Sequence, residues 1–356
     1  MEQHSKPKTS RGRGTAQNPP NRFERLAYLP ILESNDDEDG PIKTQYLKDS
    51  SRSLITYNDS PDVGFEASIN PYRGCEHGCI YCYARPYHEY LGFSAGLDFE
   101  TKILVKEDAP DLLREELSSP KWQPKIVAIS GVTDAYQPIE RKLRLTRRCL
   151  EVLTEFRNPV IVVTKNHLVT RDIDLLKELA IFNGVAVCVS VTTLDSDLAR
   201  VMEPRTSTPE NRLEAIRALA GSGVPVRVLV APTIPGLTDH EMPSIIQAAA
   251  NAGATNAGYV VVRLPYAVSG LFENWLEEHF PERKNKVLNR IRSIRGGKFN
   301  DPNFGSRMRG EGVFAEQIRS MFKLACRKAG LAGDGPELST AAFRRPEGPQ
   351  LSLFGS

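Results

Sequence analysis

Six short runs rich in β-branched residues, each followed by an amphipathic helical pattern, constrain this chain more than any other feature. The runs are EASINPY (66–72), KIVAIS (125–130), PVIVVTK (159–165), GVAVCVSVTT (184–193), VPVRVLVAPT (224–233) and NAGYVVVRL (256–264). Between them APDLLREEL, RKLRLTRRCLEVLTEF, TRDIDLLKELA, PENRLEAIRALAGSG and DHEMPSIIQAAANAG place apolar residues at helical spacing, several closed by a glycine suited to a C-cap. Strands in series with intervening helices pair in parallel through right-handed crossovers, which predicts the α/β class. Both a barrel and a doubly wound sheet satisfy the pattern. In either, the site assembles at the C-terminal ends of the strands. Thr133, Asp134, Lys165, Ser190, Thr192 and Thr233 end the strands, and the first strand runs into NPYRGCEHGCIYCYA (70–84).

The ends of the chain read differently. Residues 1–45 are polar and rich in Pro, Arg, Asn and Asp, which predicts a disordered segment; the β/α core is expected over 46–269. After residue 270 the strand rhythm stops. LFENWLEEHF, RKNKVLNRIRSIRGG and EGVFAEQIRSMFKLACRKAG predict a helical extension over 270–331, able to cap the barrel and grip a substrate, and 332–356 reads as a flexible tail. Residues 283–328 hold 13 Lys or Arg against 3 acids and residues 1–26 hold 6 against 2, leaving −12 for the rest of a chain of net charge +2. Basic segments flanking an acidic middle suit a nucleic acid or other polyanion; a solvated helix face with a basic tail explains the charge equally well. No apolar run approaches a membrane span and the N-terminus lacks a secretion signal, so a cytoplasmic protein without membrane association is expected. Cys149, Cys188 and Cys326 lie singly in helix or strand patterns, which is not a secreted disulfide framework.

Cys75, Cys79 and Cys82 form C-x3-C-x2-C without a fourth cysteine nearby. A structural zinc site needs four ligands, and His88 is the candidate to complete one. Zinc knuckles and ribbons, however, pair CxxC with a second Cys or His pair, which this chain lacks. An iron–sulfur cube held by three cysteines leaves one iron open to an exogenous ligand, and that reading fits better.

The C-x3-C-x2-C loop with an aromatic before its last cysteine, after the first strand of a six-unit β/α pattern, resembles the radical S-adenosylmethionine (SAM) superfamily over residues 65–265. The resemblance implies a partial (β/α)6 TIM-type barrel and a 4Fe-4S cluster on Cys75, Cys79 and Cys82. The open iron is then chelated by the amino and carboxylate groups of SAM, which is cleaved reductively to a 5'-deoxyadenosyl radical that abstracts hydrogen from a substrate. An electron donor of flavodoxin or ferredoxin type is implied as a partner.

YCYA (81–84), Thr133 and Asp134, the VVTK ending at Lys165, VSV around Ser190 and EPRT (203–206) are similar to the spore photoproduct lyase branch. That resemblance implies that Thr133, Lys165 and Ser190, with Tyr81 and Asp134, contact SAM, and that Tyr83 is a candidate radical relay. The lyase's hydrogen-donating cysteine falls at Gly131, so its repair chemistry does not transfer unchanged. Cys188 lies two residues before Ser190 on the same strand face and is an alternative donor or a core filler. At the far end Gln350, Leu351, Leu353 and Phe354 in QLSLF resemble the pentapeptide by which bacterial replication and repair proteins dock on the DNA sliding clamp. The expected activity is that of a radical SAM enzyme acting on nucleic acid, as in DNA repair. The alternatives are a target of RNA or peptide, or a zinc-stabilised nucleic-acid-binding module.

Overall fold

A computed structural model of the chain describes residues 12–23, 42–331, 333 and 335–346. The clamp-like Gln350, Leu351, Leu353 and Phe354 lie outside the described residues. The strands are β1 (Gln45–Lys48), β2 (Thr56–Tyr57), β3 (Ala67–Ile69), β4 (Tyr72–Arg73), β5 (Lys102–Val105), β6 (Val127–Ile129), β7 (Val160–Thr164), β8 (Val185–Ser190), β9 (Val226–Thr233) and β10 (Asn256–Val261).

The main sheet runs β10-β9-β8-β7-β6-β3-β2, and its β2 edge strand pairs antiparallel to β3. The other six are parallel throughout, as serial crossovers require. Its first and last strands do not pair, so the sheet is an open, partial barrel. All six runs predicted from the sequence are strands. They were legible because parallel strands covered on both faces read as near-continuous apolar runs: Val185–Ser190 is buried at every position. On β8 Val185, Val187 and Val189 join the main core beneath the helices. With a period of two, Cys188 and Ser190 therefore face the concave interior, beside Arg227 and Leu229 of β9.

A second sheet, β1-β5-β4, was not foreseen. It seats the start of the cysteine loop: Arg73 of β4 precedes Cys75, whose amide donates to Phe99 O at 2.9 Å.

The predicted disorder of 1–45 is corrected for residues 12–23, which form a strap across the outside of the cysteine loop. Arg13 donates to Glu100 O at 2.9 Å, and Gly14 N donates to Glu100 Oε2 at 2.9 Å. Gln17 O accepts from Leu97 N at 2.8 Å, and Arg22 pairs with Glu89 at 2.6 Å. Apolar periodicity is absent here because hydrogen bonds to backbone and carboxylates do the ordering. At Gly14 a Cβ would stand 1.8 Å from the Gly78 carbonyl oxygen, inside the Cys75–Cys79 interval. Gly14→Ala therefore has to lift the strap or shift the loop, and is expected to lower stability by about 1–3 kcal/mol. Hydrogen exchange checks this: the Leu97 amide should lose protection while the β8 amides keep theirs.

The three predicted helices of the extension are present as Ala267–His279, Pro281–Ser293 and Val313–Ala329. Part of their positive charge is structural. Arg295 donates to Val261 O and Val262 O, both at 2.9 Å, and Arg309 donates to Tyr259 O at 2.5 Å. These guanidinium groups satisfy carbonyls on and just past the edge strand β10, whose free edge would otherwise invite pairing with another chain. Lys284 pairs with Glu273 and Glu277, and Arg307 with Asp62. The flexible tail is likewise corrected for residues 335–346. Arg344 reaches Glu155 O at 2.9 Å, in the last turn of the Leu145–Phe156 helix, and Arg345 reaches Trp122 O at 2.8 Å. Among the described residues no helix is long and apolar enough to cross a membrane.

Candidate active site

The cysteine loop leaves β4 and lies over the C-terminal ends of β7, β8 and β9, where parallel α/β folds assemble sites. Cys75, Cys79 and Cys82 are free thiols, the first two buried and the third half-buried. Backbone turns fix the loop: Gly78 N donates to Cys75 O at 3.4 Å and Cys82 N to Cys79 O at 3.2 Å. From beneath, fully buried Arg85 donates to Cys79 O at 3.0 Å and to Gly78 O at 3.2 Å while pairing with Glu100 at 2.6 Å. Burial, with Glu203 nearby, pushes the Cys79 thiol well above its ordinary range; Lys165 acts in the opposite sense. Burial also raises Cys82, and the charge of Cys75 adds to it.

Among the described residues no group of three or more His, Cys, Asp and Glu is set to hold a single metal ion. His88, the candidate fourth zinc ligand, is enclosed by the rings of Phe93 and Phe99 at 5.2 and 5.6 Å, and burial lowers it to about 4. Three thiols in one loop, with Cys79 and Cys82 raised by burial and by their cysteine neighbours and with no second Cys or His pair, suit a polynuclear cationic group with an open position better than a closed zinc site.

The strand-end residues separate into two kinds. Asp134 accepts from Thr164 Oγ1 at 2.8 Å, from Tyr136 N at 2.9 Å and from Lys165 N at 2.7 Å, and faces His77 Nδ1 at 3.4 Å. Both its oxygens are thus engaged by the protein, and through them Asp134 positions the end of β7. His77, between Cys75 and Cys79, rests its other ring nitrogen 3.2 Å from Asn166 Nδ2. Asn166 Oδ1 already accepts from Leu168 N and Ser207 Oγ, so the amide nitrogen must face the imidazole. Thr133 is buried, its hydroxyl donating to Tyr72 O at 3.3 Å.

Lys165 belongs to the second kind. Its ammonium donates to Ala231 O at 2.9 Å and stands 3.7 Å from Glu203 Oε1 and 5.9 Å from the Tyr81 ring centroid. Burial brings it down to about 8. Two of its three N–H donors are so directed, and one is left for a ligand. Ser190 lies on the same concave face, its carbonyl accepting from Arg212 at 3.1 Å.

The EPRT turn (203–206) builds a contact that its sequence does not announce. Glu203 and Arg212 form a fully buried ion pair. The second carboxylate oxygen of Glu203 accepts from the hydroxyls of Tyr81 and Thr192. Tyr81 is therefore held through Glu203 and its hydroxyl is already committed. Ile80 N donates to Met202 O at 3.1 Å and Arg205 N to His77 O at 3.3 Å, which ties the EPRT turn to the cysteine loop at both ends. The available signal was an acid nine residues before an arginine at a helix start, two charges that only the fold brings together.

Of the two candidate catalytic residues, Tyr83 is 40% exposed, donates its hydroxyl to Gly131 O and lies under the Arg263 guanidinium at 4.6 Å. Its phenol thus reaches the position at which the lyase branch carries its cysteine. Cys188 is buried on the concave face, and burial pushes its thiol up to about 11.

The chain matches the family model of the Radical SAM superfamily over residues 69–249. It is 36% identical over 248 residues to uncharacterised proteins of Mycobacterium bovis and Mycobacterium tuberculosis, covering 69% of this chain and 72% of theirs. An uncharacterised protein of Methanocaldococcus jannaschii is 30% identical, covering 70% of this chain and 88% of its own. Among solved structures, spore photoproduct lyase complexed with dinucleoside spore photoproduct superposes with a TM-score of 0.59 at 17% identity, covering 81% of this chain and 80% of that one. At that identity the likeness concerns the fold.

Proposed function

From the premise that the chain belongs to the radical SAM superfamily, we propose that it is a SAM-dependent radical enzyme whose Cys75, Cys79 and Cys82 hold a 4Fe-4S cluster and whose substrate is a nucleic acid. The observation that carries the cofactor reading is a loop of three free thiols, two of which, Cys79 and Cys82, act electrostatically on the Lys165 ammonium at the end of β7. When bound, cluster and SAM supply the one-electron cleavage that yields methionine and a 5'-deoxyadenosyl radical. The protein's part is to bind, orient and exclude. Lys165 turns its remaining N–H toward the SAM carboxylate, and Ser190 and Thr133 offer hydroxyls to the ribose and amino groups. Asp134 and His77 hold the strand ends and the loop in register. Tyr83 borders the opening of the concave face, where a substrate radical would be quenched or relayed.

The nucleic-acid part rests on the basic extension and on the lyase's dinucleoside-bound likeness. A flavodoxin- or ferredoxin-type donor supplies the electron, and QLSLF supplies a sliding-clamp contact.

Anaerobic reconstitution with iron and sulfide analysis, and electron paramagnetic resonance of the reduced protein with and without SAM, tests the cofactor reading. A cubane signal that changes on adding SAM is expected; stoichiometric zinc without sulfide would replace the proposal with a binding module. Lys165→Ala is expected to weaken SAM binding roughly ten-fold or more, as loss of a charge-assisted hydrogen bond would, with iron content unchanged. Calorimetry on the reconstituted variant reads this directly, and unaltered affinity removes Lys165 from the site.

A further inference from the structure

Beside the opening of the concave face the protein exposes aromatic rings that a soluble surface ordinarily avoids. Phe23, Tyr83, Tyr87, Tyr90 and Tyr266 are 55%, 40%, 54%, 67% and 64% exposed. They form one connected strip. Phe23 stacks on Tyr90 with centroids 4.7 Å apart, and Tyr90 meets Tyr87 at 6.4 Å. Tyr83 stands four residues before Tyr87, immediately ahead of the Arg85–Leu91 turn that carries Tyr87 and Tyr90. The Arg22 guanidinium stands 3.7 Å from the Tyr266 ring centroid and 4.9 Å from that of Phe23, and Arg263 covers Tyr83 at 4.6 Å. Tyr83 follows Cys82 directly, so the strip starts at the thiols and leads outward.

A contiguous exposed aromatic patch marks a contact surface. This one is rigid: the Arg22–Glu89 pair at 2.6 Å and the hydrogen bonds from Asn21 to Glu89 O and Phe93 O, at 2.9 and 3.0 Å, clamp the strap to the Arg85–Leu91 turn that carries Tyr87 and Tyr90. Ring faces alternating with guanidinium planes, held in place before binding, are the chemistry that accepts unstacked nucleobases, each of which offers a π-face. The charge pattern favours stacking over phosphate capture. Arg22 is paired with Glu89, and Arg263 lies over the face of the Tyr83 ring.

We infer that the Phe23–Tyr90–Tyr87–Tyr83 strip, with Arg22, Arg263 and Tyr266, is a stacking platform for an unpaired nucleic-acid strand that delivers one nucleotide to the cluster-side opening. The inference rests on the proposed nucleic-acid substrate and deepens it by making the ligand single-stranded and the contact mainly to bases.

The test is fluorescence anisotropy of labelled oligothymidylate and oligouridylate with the full-length, anaerobically reconstituted protein across a salt series. Binding of either strand, weakened roughly ten-fold or more by Tyr90→Ala and by Tyr87→Ala but not by the matching Phe variants, is expected. The salt dependence should be shallow, with a slope on the order of that for one or two phosphate contacts. Three results would overturn the platform: no binding of either strand, preference for a duplex, or a steep salt slope abolished by Arg283→Ala and Lys286→Ala while the tyrosine variants bind normally. The last would leave the nucleic-acid reading standing, and the paramagnetic signal with SAM is scored separately in every variant.

Discussion

Cys79→Ala is expected to yield a folded protein that retains essentially no iron or sulfide after reconstitution and cleaves no SAM. Cys79 contributes little as packing: it belongs to an apolar cluster separate from the main core, with Ile80, Tyr81 and Met202, and truncating a thiol there should change stability by about 1 kcal/mol or less. What is lost is a ligand. In the metal-free protein burial keeps the Cys79 and Cys82 thiols protonated, so a bound metal has to displace those protons, and its binding strengthens as pH rises. Two cysteines cannot replace three, because an iron deprived of its thiolate opens to water and the cube degrades. Cys149→Ala is the control: that thiol is buried in the main core between the helices and the sheet and should leave iron content unchanged. Iron and sulfide at wild-type levels in Cys79→Ala would remove the cluster assignment.

What the sequence disclosed and what it withheld divide along physical lines. The six parallel strands and the helices between them were readable because burial on both faces imposes a local pattern that a window of a few residues contains. β1 was not readable: Gln45–Lys48 is mostly exposed and gains its order from β5, 57 residues later by the pairing of Gln45 with Lys102. The strap was missed for the same reason in stronger form, since Arg13, Gly14 and Asn18 are ordered by Glu100 and Asp98, more than 75 residues away. At the site, the cysteines were legible because their spacing is itself the chemistry. Asp134 was legible as a strand-end carboxylate, but residue type does not disclose which protein groups reach it. Here two backbone amides and a hydroxyl do so. Positive charge over 283–328 was counted correctly, but a count cannot separate Arg295, folded onto strand carbonyls, from Arg283 and Lys286, which line a surface cleft with Asp239 and His240.

Arg212→Met is expected to destabilise the protein by about 3–5 kcal/mol, the range for removing one partner of a buried ion pair. Arg212 makes four connections: to Glu203, to Ser207 O at 2.8 Å, to Ser190 O at 3.1 Å and to Thr206 Oγ1 at 2.5 Å. Without it the Glu203 carboxylate stays buried, facing only the Lys165 ammonium at 3.7 Å among the cations bonded to it. Burial already raises the Glu203 carboxyl above its ordinary value, and Arg212 opposes that rise. In the variant the folded carboxyl climbs further, so over a wider pH range above the unfolded value the native state holds a proton that the unfolded state, with an ordinary Glu value, has released. Stability then falls as pH rises above the unfolded value of about 4.3 and continues to fall until the folded carboxyl itself ionises. The deficit relative to wild type should therefore be larger at pH 8 than at pH 5.5, and Glu203→Gln in the same chain should recover part of it. Urea unfolding of the metal-free proteins at both pH values measures this. Because Met202 O and the Arg205 amide bind the EPRT turn to Ile80 and His77, the same variant should also lose iron faster than wild type after reconstitution. Wild-type stability at pH 8 would show that Glu203 and Arg212 do not hold the loop that carries the thiols.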